Sequence, residues 1–361
     1  MKNKLMFSLA PGILLSGGAL YLAFRNVPLK DLSDYIVSYN YLWILPSVAV
    51  VFLSFALRTV RWQIILQATH RIDFWQAFHV LMVGFMLNCI LPGRVGEIAR
   101  PAILKKNDNI PFSTGIATVA VERVFDISLL MIFFVVIIAL IPMDPHIGIT
   151  FGGYRLNSRT LDAVSKGMLL MVILIMAGII MVTLESSRKL IKNVIRRLPA
   201  LFFFAGFSFQ DRVSDKICTP LAHMVDNFAA GFSMIRHPQD IFHCAGLSVI
   251  IWALGAFSFY IASLGAPGIH LSFVELAVVM VIVCFFIALP SVPGFWGLWE
   301  AGGVFALALF GVSQTDAAGF TLINHAIQMF PVILIGLASA VITGVNILKV
   351  PSVLKENNKI V

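Results

Sequence analysis

Residues 74–100 read FWQAFHVLMVGFMLNCILPGRVGEIAR. Phe74–Leu91 approaches the length of a bilayer crossing, which needs about 20 apolar residues. It then meets Pro92-Gly93, with Arg94, Glu97 and Arg100 close behind. Pro92 removes a backbone donor and Gly93 permits open backbone angles, so a helix stops there. Whether this stretch crosses the bilayer or turns back sets the orientation of everything after it.

The rest of the chain makes the bilayer the relevant solvent. Hydrophobic residues are 59% of the 361 and charged residues 12%, against about 45–50% and 25% in a soluble domain. With 30 Phe and a mean hydropathy of +0.92, this apolar surface exceeds what a water-soluble core can hide. Disorder, coiled coil, a secreted disulfide scaffold and a nucleic-acid binder are excluded as readings of the whole chain. The net charge of +8 comes from basic residues clustered in a few hydrophilic stretches, which marks them as topology determinants. Cys89, Cys218, Cys244 and Cys284 are isolated and read as packing residues.

Nine apolar runs stand out: Leu5–Phe24, Tyr41–Leu57, Phe74–Leu91, Gly115–Ile141, Gly167–Leu184, Ile241–Leu264, Phe273–Leu289, Ala301–Val312 and Gly319–Leu348. Leu5–Phe24 has no small-residue cleavage site before Arg25 and reads as a retained first span. Ser186–Asp240 carries eight basic residues against four acidic ones, a net of +4, and should be cytoplasmic. So should Lys2/Lys4, Arg58/Arg61/Arg71, Lys105/Lys106 and Lys349/Lys355/Lys359. All share one side only if Phe74–Leu91 enters and leaves by the same face, as a re-entrant hairpin or broken helix.

The expectation is therefore an all-α polytopic membrane protein of about eight spanning helices. Re-entrant or broken helices would sit in an approximate two-fold repeat, and both termini would be cytoplasmic. The chain reads as a single membrane domain over 1–361. It divides into a first half 1–184, a cytoplasmic interfacial segment 186–240, a second half 241–349 and a short basic tail 350–361. Within 186–240, Leu190, Ile191, Val194, Ile195 and Leu198 recur opposite Arg188, Lys189, Lys192 and Arg196. This pattern predicts a basic amphipathic helix on the membrane surface, ended by Pro199, with a second such helix over Leu221–Ile235.

A second interruption lies in the other half: Pro290-Ser291-Val292-Pro293-Gly294-Phe295-Trp296-Gly297-Leu298-Trp299-Glu300. Both interruptions read apolar run, Pro-Gly, then Gly and Glu; the spacing is Pro92-Gly93-x-x-Gly96-Glu97 in one and Pro293-Gly294-x-x-Gly297-x-x-Glu300 in the other. Pro92, Gly93, Gly96, Pro290, Pro293, Gly294 and Gly297 are the candidate hinge or helix-break residues. Freed backbone groups in hydrocarbon must face protein or a water-filled cavity. Paired broken helices in two halves point to a transporter site, and a restarting helix aims its amides at the break, where an anion is favoured. The alternative is two unrelated kinks.

Charged residues inside apolar helices are costly and mark function by default. Arg94, Glu97, Arg100, Glu122, Arg123, Asp126 and Glu300 are the candidate substrate-binding or coupling residues. Glu122 and Asp126 share a helix face. One reading is a ring of charges lining a cavity; the other is an interfacial salt bridge that fixes helix depth. Arg58 and Arg61 join the site or snorkel to the head groups beside Trp62. His325, with Asn324 and Gln328 on the last long run, is a structural histidine or a proton relay. Asn88, Trp296 and Trp299 complete the candidates. No catalytic residue, metal site or cofactor is read, because metal spacings, Walker A, G-x-G-x-x-G, G-x-S-x-G and H-E-x-x-H are all missing.

On these residues the sequence resembles the flippase-like integral membrane family named for the transmembrane region of lysylphosphatidylglycerol synthase. The resemblance rests on Asn88 with Leu91-Pro92-Gly93-Arg94-x-Gly96-Glu97-x-x-Arg100, on Glu122-Arg123-x-x-Asp126, on Pro290-x-x-Pro293-Gly294-x-x-Gly297-x-x-Glu300, and on Arg58-x-x-Arg61-Trp62. It implies a multi-pass inner-membrane protein in which this region moves a phospholipid between leaflets. No synthase domain is read here, so aminoacyl transfer is not expected. The family often carries a third Gly or a basic residue in the second motif, where this chain has Phe295, Trp296 and Trp299. Those aromatics form a lid or an acyl-chain wall on this reading.

The functional expectation is a lipid translocator or lipid-handling protein without ATP. Arginine forks would hold an anionic phospholipid or lipid phosphate. Membrane lipid is the expected partner, nucleic acid is not, and a lipid-synthesis enzyme is a second candidate partner. The rivals are an integral-membrane transferase acting on a lipid phosphate, and a non-catalytic companion of a lipid-synthesis enzyme.

Overall fold

The structure is a computed structural model. It describes residues 2–67, 69–140, 149–151, 154–156, 185–199, 211–222, 225–226 and 238–345, with scattered helical positions between 166 and 181. Among the described residues the regular structure is helical apart from one short antiparallel hairpin, β1 (Ile149–Phe151) with β2 (Tyr154–Leu156). In chain order the helices are α1 (Lys2–Phe24), α2 (Leu29–Ser38), α3 (Ile44–Gln67), α4 (Phe74–Ile90), α5 (Val95–Asp108) and α6 (Phe112–Leu140). After the strands come α7 (Glu185–Arg197), α8 (Pro238–Ser263), α9 (Phe273–Ala288), α10 (Leu298–Ala308) and α11 (Gln314–Ile342).

Among the described residues, three helical stretches are long and apolar enough to cross a membrane: Tyr41–Gln67, Gln239–Ser263 and Gln314–Ile342. Shorter apolar helices accompany them at Pro11–Phe24, Phe74–Ile90 and Phe273–Ala288. The apolar side chains that face outward, such as Leu45, Val249, Ile250, Leu334 and Val341, suit lipid as solvent. The first long span continues past Leu57 to Gln67, so Arg58 and Arg61 sit within the helix and not at its end.

Both interrupted stretches fold as hairpins. α4 ends at Ile90, the chain turns through Leu91–Arg94, and α5 doubles back along α4. The turn needs left-handed backbone at Gly93 (φ 78°) and Arg94 (φ 53°). The Asn88 Oδ1 accepts from the Gly96 amide at 2.8 Å, which ties the two arms. In the second half α9 ends at Ala288, a short turn over Pro293–Phe295 follows, and α10 returns along α9, with Gly302 against Phe286 and Val283. Gly297, at φ 87°, brings the backbone against Ser16 of α1.

Each half thus runs long helix, hairpin, long helix: α3, α4–α5, α6 and then α8, α9–α10, α11. α3 packs on α8, α4 on α11, and α9 on α6. The tips of the hairpins meet. Cys89, at the end of α4, lies against Gly294, and the Arg94 guanidinium donates to the Ile287 carbonyl near the end of α9 at 3.1 Å. One apolar core gathers α8 to α11 with Tyr35 and Tyr39. A second gathers α4 and α5 with Trp62.

In the central segment α7 forms a helix that carries Arg188, Lys189 and Lys192 beside exposed Leu190 and Val194. Lys189 pairs with Glu185 at 3.0 Å and Lys192 with Asp226 at 2.9 Å. Most of the second surface helix, most of Gly167–Leu184 and the basic tail fall outside the described residues.

Close approach of the arms makes one substitution decisive. A Cβ on Gly96 would fall on the Gly84 carbonyl, a backbone atom that cannot swing aside. Gly96→Ala should therefore destabilise the protein by about 1–3 kcal/mol through overpacking. A lowered midpoint of thermal unfolding in detergent, set beside an unchanged midpoint for Gly17→Ala at an open position, checks this.

Candidate functional site

The hairpin tips and the long helices enclose a cavity of about 310 Å³, within the range of small-ligand sites. Arg58 of α3, Arg94 of the first turn, and Arg123 and Asp126 of α6 line it. Its walls are apolar and aromatic, including Phe55, Phe85, Trp252, Phe295 and Trp299. Gln328 of α11 and Ser258 of α8 add a polar edge, with the Gln328 amide donating to Ser258 Oγ at 3.0 Å.

Behind the lining lies a network of shared carboxylates. Asp126 takes Arg61 at 2.7 Å, Arg123 at 3.1 Å and Arg58 at 3.8 Å. Glu122 takes Arg100 at 2.6 Å and Arg61 at 3.7 Å. Glu97 lies 3.7 Å from Arg123 and 3.9 Å from Arg94. Arg61 is fully buried and also donates to Ser248 of α8 at 2.8 Å. Arg100 lies over the Trp62 ring, 4.0 Å from its centroid, where the π face favours a cation. Exposure rises toward the cavity: the Arg58, Arg123 and Arg94 side chains are 18%, 29% and 41% exposed. The network therefore grades from sealed ion pairs to guanidinium groups a ligand can reach.

Arg58 and Arg61 do not snorkel. They reach inward from mid-helix, because Asp126 and Glu122 on α6 give them partners that no head group would. Arg100, Glu122 and Arg61 form the buried backing, and Arg94, Arg123, Arg58 and Asp126 face the cavity. Glu97 is half-buried between Arg94 and Arg123.

Glu300 lies apart from this group. It is wholly buried, does not line the cavity, and accepts from the Gly297 amide at 2.7 Å. Its other oxygen meets His325 Nδ1 at 2.6 Å, and His325 Nε2 meets the Gly294 carbonyl at 2.8 Å. The His325 ring stacks on Trp299 at 4.7 Å and leans on Trp296 at 4.6 Å. The nitrogen that faces a carbonyl oxygen must carry a proton, since that oxygen only accepts. Glu300, His325, Trp296 and Trp299 thus brace the second turn.

The amides at the two restarts are engaged as well. The Gly96 amide is bonded to Asn88 and the Gly297 amide to Glu300, and the cationic side chains that line the cavity are Arg58, Arg94 and Arg123. Pro92, Gly93, Pro290, Pro293 and Gly294 all lie in the turns, where they set the hairpin geometry. Trp252, Ser258, Ser248 and Gln328 are additions that sequence reading did not assign to the site. Trp252 sits in an unbroken apolar run with no signal; Gln328 was visible as a polar residue on an apolar helix. Among the described residues no group of three or more His, Cys, Asp or Glu could hold a metal ion.

Residues 9–336 match the family described as the lysylphosphatidylglycerol synthase TM region. A glycosyltransferase of Haloferax volcanii, AglD, is 28% identical over 72% of this chain, and the chain spans 42% of that protein's length. A UPF0104 membrane protein of Methanothermobacter thermautotrophicus is 25% identical over 88% of this chain and 86% of its own length.

Removing Arg61 takes from Asp126 its nearest partner, at 2.7 Å, and leaves Glu122 to Arg100 alone. Breaking such a buried pair costs about 3–5 kcal/mol, whereas an apolar replacement of both partners can be neutral. Arg61→Ala and Asp126→Asn should each destabilise the protein in chemical unfolding in detergent, and because the two side chains are in contact the double variant should lose less than the sum of the single losses. Losses that simply add contradict the assignment.

Proposed function

The chain belongs to the lysylphosphatidylglycerol synthase transmembrane-region family, and from that footing we propose that it binds the phosphate head of a membrane lipid and carries that lipid between leaflets without ATP. The observation that supports this most is the cavity at the hairpin tips, where Arg58, Arg94 and Arg123 stand among aromatic and aliphatic walls. A lipid phosphate asks for that combination. Its oxygens take charge-assisted bonds from planar guanidinium forks, and its chain takes an apolar path.

On this reading the chain is a multi-pass inner-membrane protein with eight spans and both termini cytoplasmic. α4–α5 and α9–α10 are re-entrant hairpins from two halves related by an approximate two-fold. Their tips meet near the middle of the bilayer, as in transporters with broken helices. Rocking one half on the other opens the cavity first to one leaflet and then to the other. Asn88 ties the arms of the first hairpin, and the Glu300–His325 pair braces the tip of the second, so each can move as a unit. Phe295 and Trp299 close the cavity beside the acyl chain, with Trp296 behind them on His325.

A transferase acting on a lipid phosphate is the second reading, favoured by the name of the Haloferax relative. The same arginines would then hold the acceptor lipid. Incubating the protein with labelled lipid and candidate donors, followed by product analysis, separates the two: a changed lipid supports transfer, and an unchanged lipid in the opposite leaflet supports translocation.

In vesicles holding a head-labelled anionic phospholipid, the protein should speed exchange between leaflets. Arg58→Ala and Arg94→Ala should each slow that exchange by about 10–100-fold, the loss of one charge-assisted bond, with helix content unchanged. Exchange at the wild-type rate in both variants would exclude the mechanism.

A further inference from the structure

Charge balance around the cavity narrows the lipid class. Among the described residues, five arginines (58, 61, 94, 100 and 123) meet three carboxylates (Glu97, Glu122 and Asp126) in one connected network. Two positive charges are left over. The cavity lining shows the same surplus, with Arg58, Arg94 and Arg123 against Asp126. α8, α9 and α11 contribute no charged side chain to that lining, so nothing opposite offsets it.

Uncompensated charge among apolar helices is costly until something completes it. A phosphodiester head group brings one negative charge and two free oxygens. A terminal phosphate monoester brings about −1.5 to −2 charges near neutral pH, and three oxygens. Three arginines from three separate elements converge here, one donor fork for each of those oxygens. A cavity of about 310 Å³ also suits a compact head group with no large substituent beyond the phosphorus.

We propose that the lipid held here carries a terminal phosphate monoester in preference to a phosphodiester head group. This rests on the reading that the cavity takes a lipid phosphate, and it adds the charge state and connectivity of that phosphate. The surplus of two charges, which one phosphodiester would only halve, is what selects between them.

The test uses the full chain in maltoside detergent and three probes: dodecyl phosphate, methyl dodecyl phosphate and inorganic phosphate, each titrated calorimetrically at neutral pH. Dodecyl phosphate should bind about tenfold or more tightly than its methyl ester, and more tightly than inorganic phosphate. Arg94→Gln, which lowers the surplus by one, should bring the two alkyl probes to within about twofold. Arg58→Lys keeps the charge and should keep the preference, with thermal unfolding reporting that both variants are folded. Equal affinity for the two alkyl probes, or tighter binding of the ester, overturns the proposal. Inorganic phosphate binding as well as dodecyl phosphate also overturns it, because the site would then serve a soluble anion. These titrations need no movement across a bilayer. A preference that persists when leaflet exchange fails leaves this proposal standing without translocation, and absence of binding by every probe removes both.

Discussion

Arg61 has no water to retreat to. Buried completely within α3, it holds its charge because Asp126 and Glu122 of α6 meet it from one side and Ser248 of α8 from another. In low-dielectric surroundings a lone charge costs several kcal/mol, so these three long helices are bound to one mutual geometry. The carboxylates are then shared outward to Arg58, Arg100 and Arg123. The cavity face of the protein inherits its positive character from this arrangement, since fewer carboxylates than guanidinium groups are available to the ring.

The two hairpins show the same constraint answered by different chemistry. In each half a polar pair joins the returning arm to the next long helix: Arg100 to Glu122 between α5 and α6, and Glu300 to His325 between α10 and α11. The first pair belongs to the charged network that feeds the cavity. The second is closed off by Trp296 and Trp299 and steadies a turn built on Gly294 and Gly297. The first hairpin thus shares in the charged lining of the cavity, and the second supplies aromatic wall and a braced turn.

Much of this was legible in residue order. Pro92-Gly93 and Pro293-Gly294 announced where the apolar helices stop, and the hairpins turn at those places. The charged set around Glu122 and Asp126 was visible because carboxylates do not enter apolar helices idly. Arg58 and Arg61 lie just past the last unbroken apolar residues at Leu57, whereas packing on α8 and the buried carboxylates carry the helix on to Gln67. Glu300 looked like a cavity residue by analogy with Glu97; its neighbour across the turn is His325, a tertiary contact that spacing does not encode. Trp252 gave no sign, since an aromatic in an apolar helix reads the same whether it faces lipid, core or cavity.

On our proposal the arginine-lined space between the hairpin tips holds a lipid head group. A cryo-electron microscopy map of the protein in lipid nanodiscs, at a resolution that shows head groups, tests it most directly. Phosphate density is expected within hydrogen-bonding distance of Arg58, Arg94 and Arg123, with a chain running along Phe295 and Trp299. Ordered lipid seated only on the outer helix faces, over a cavity filled by protein side chains alone, would contradict it.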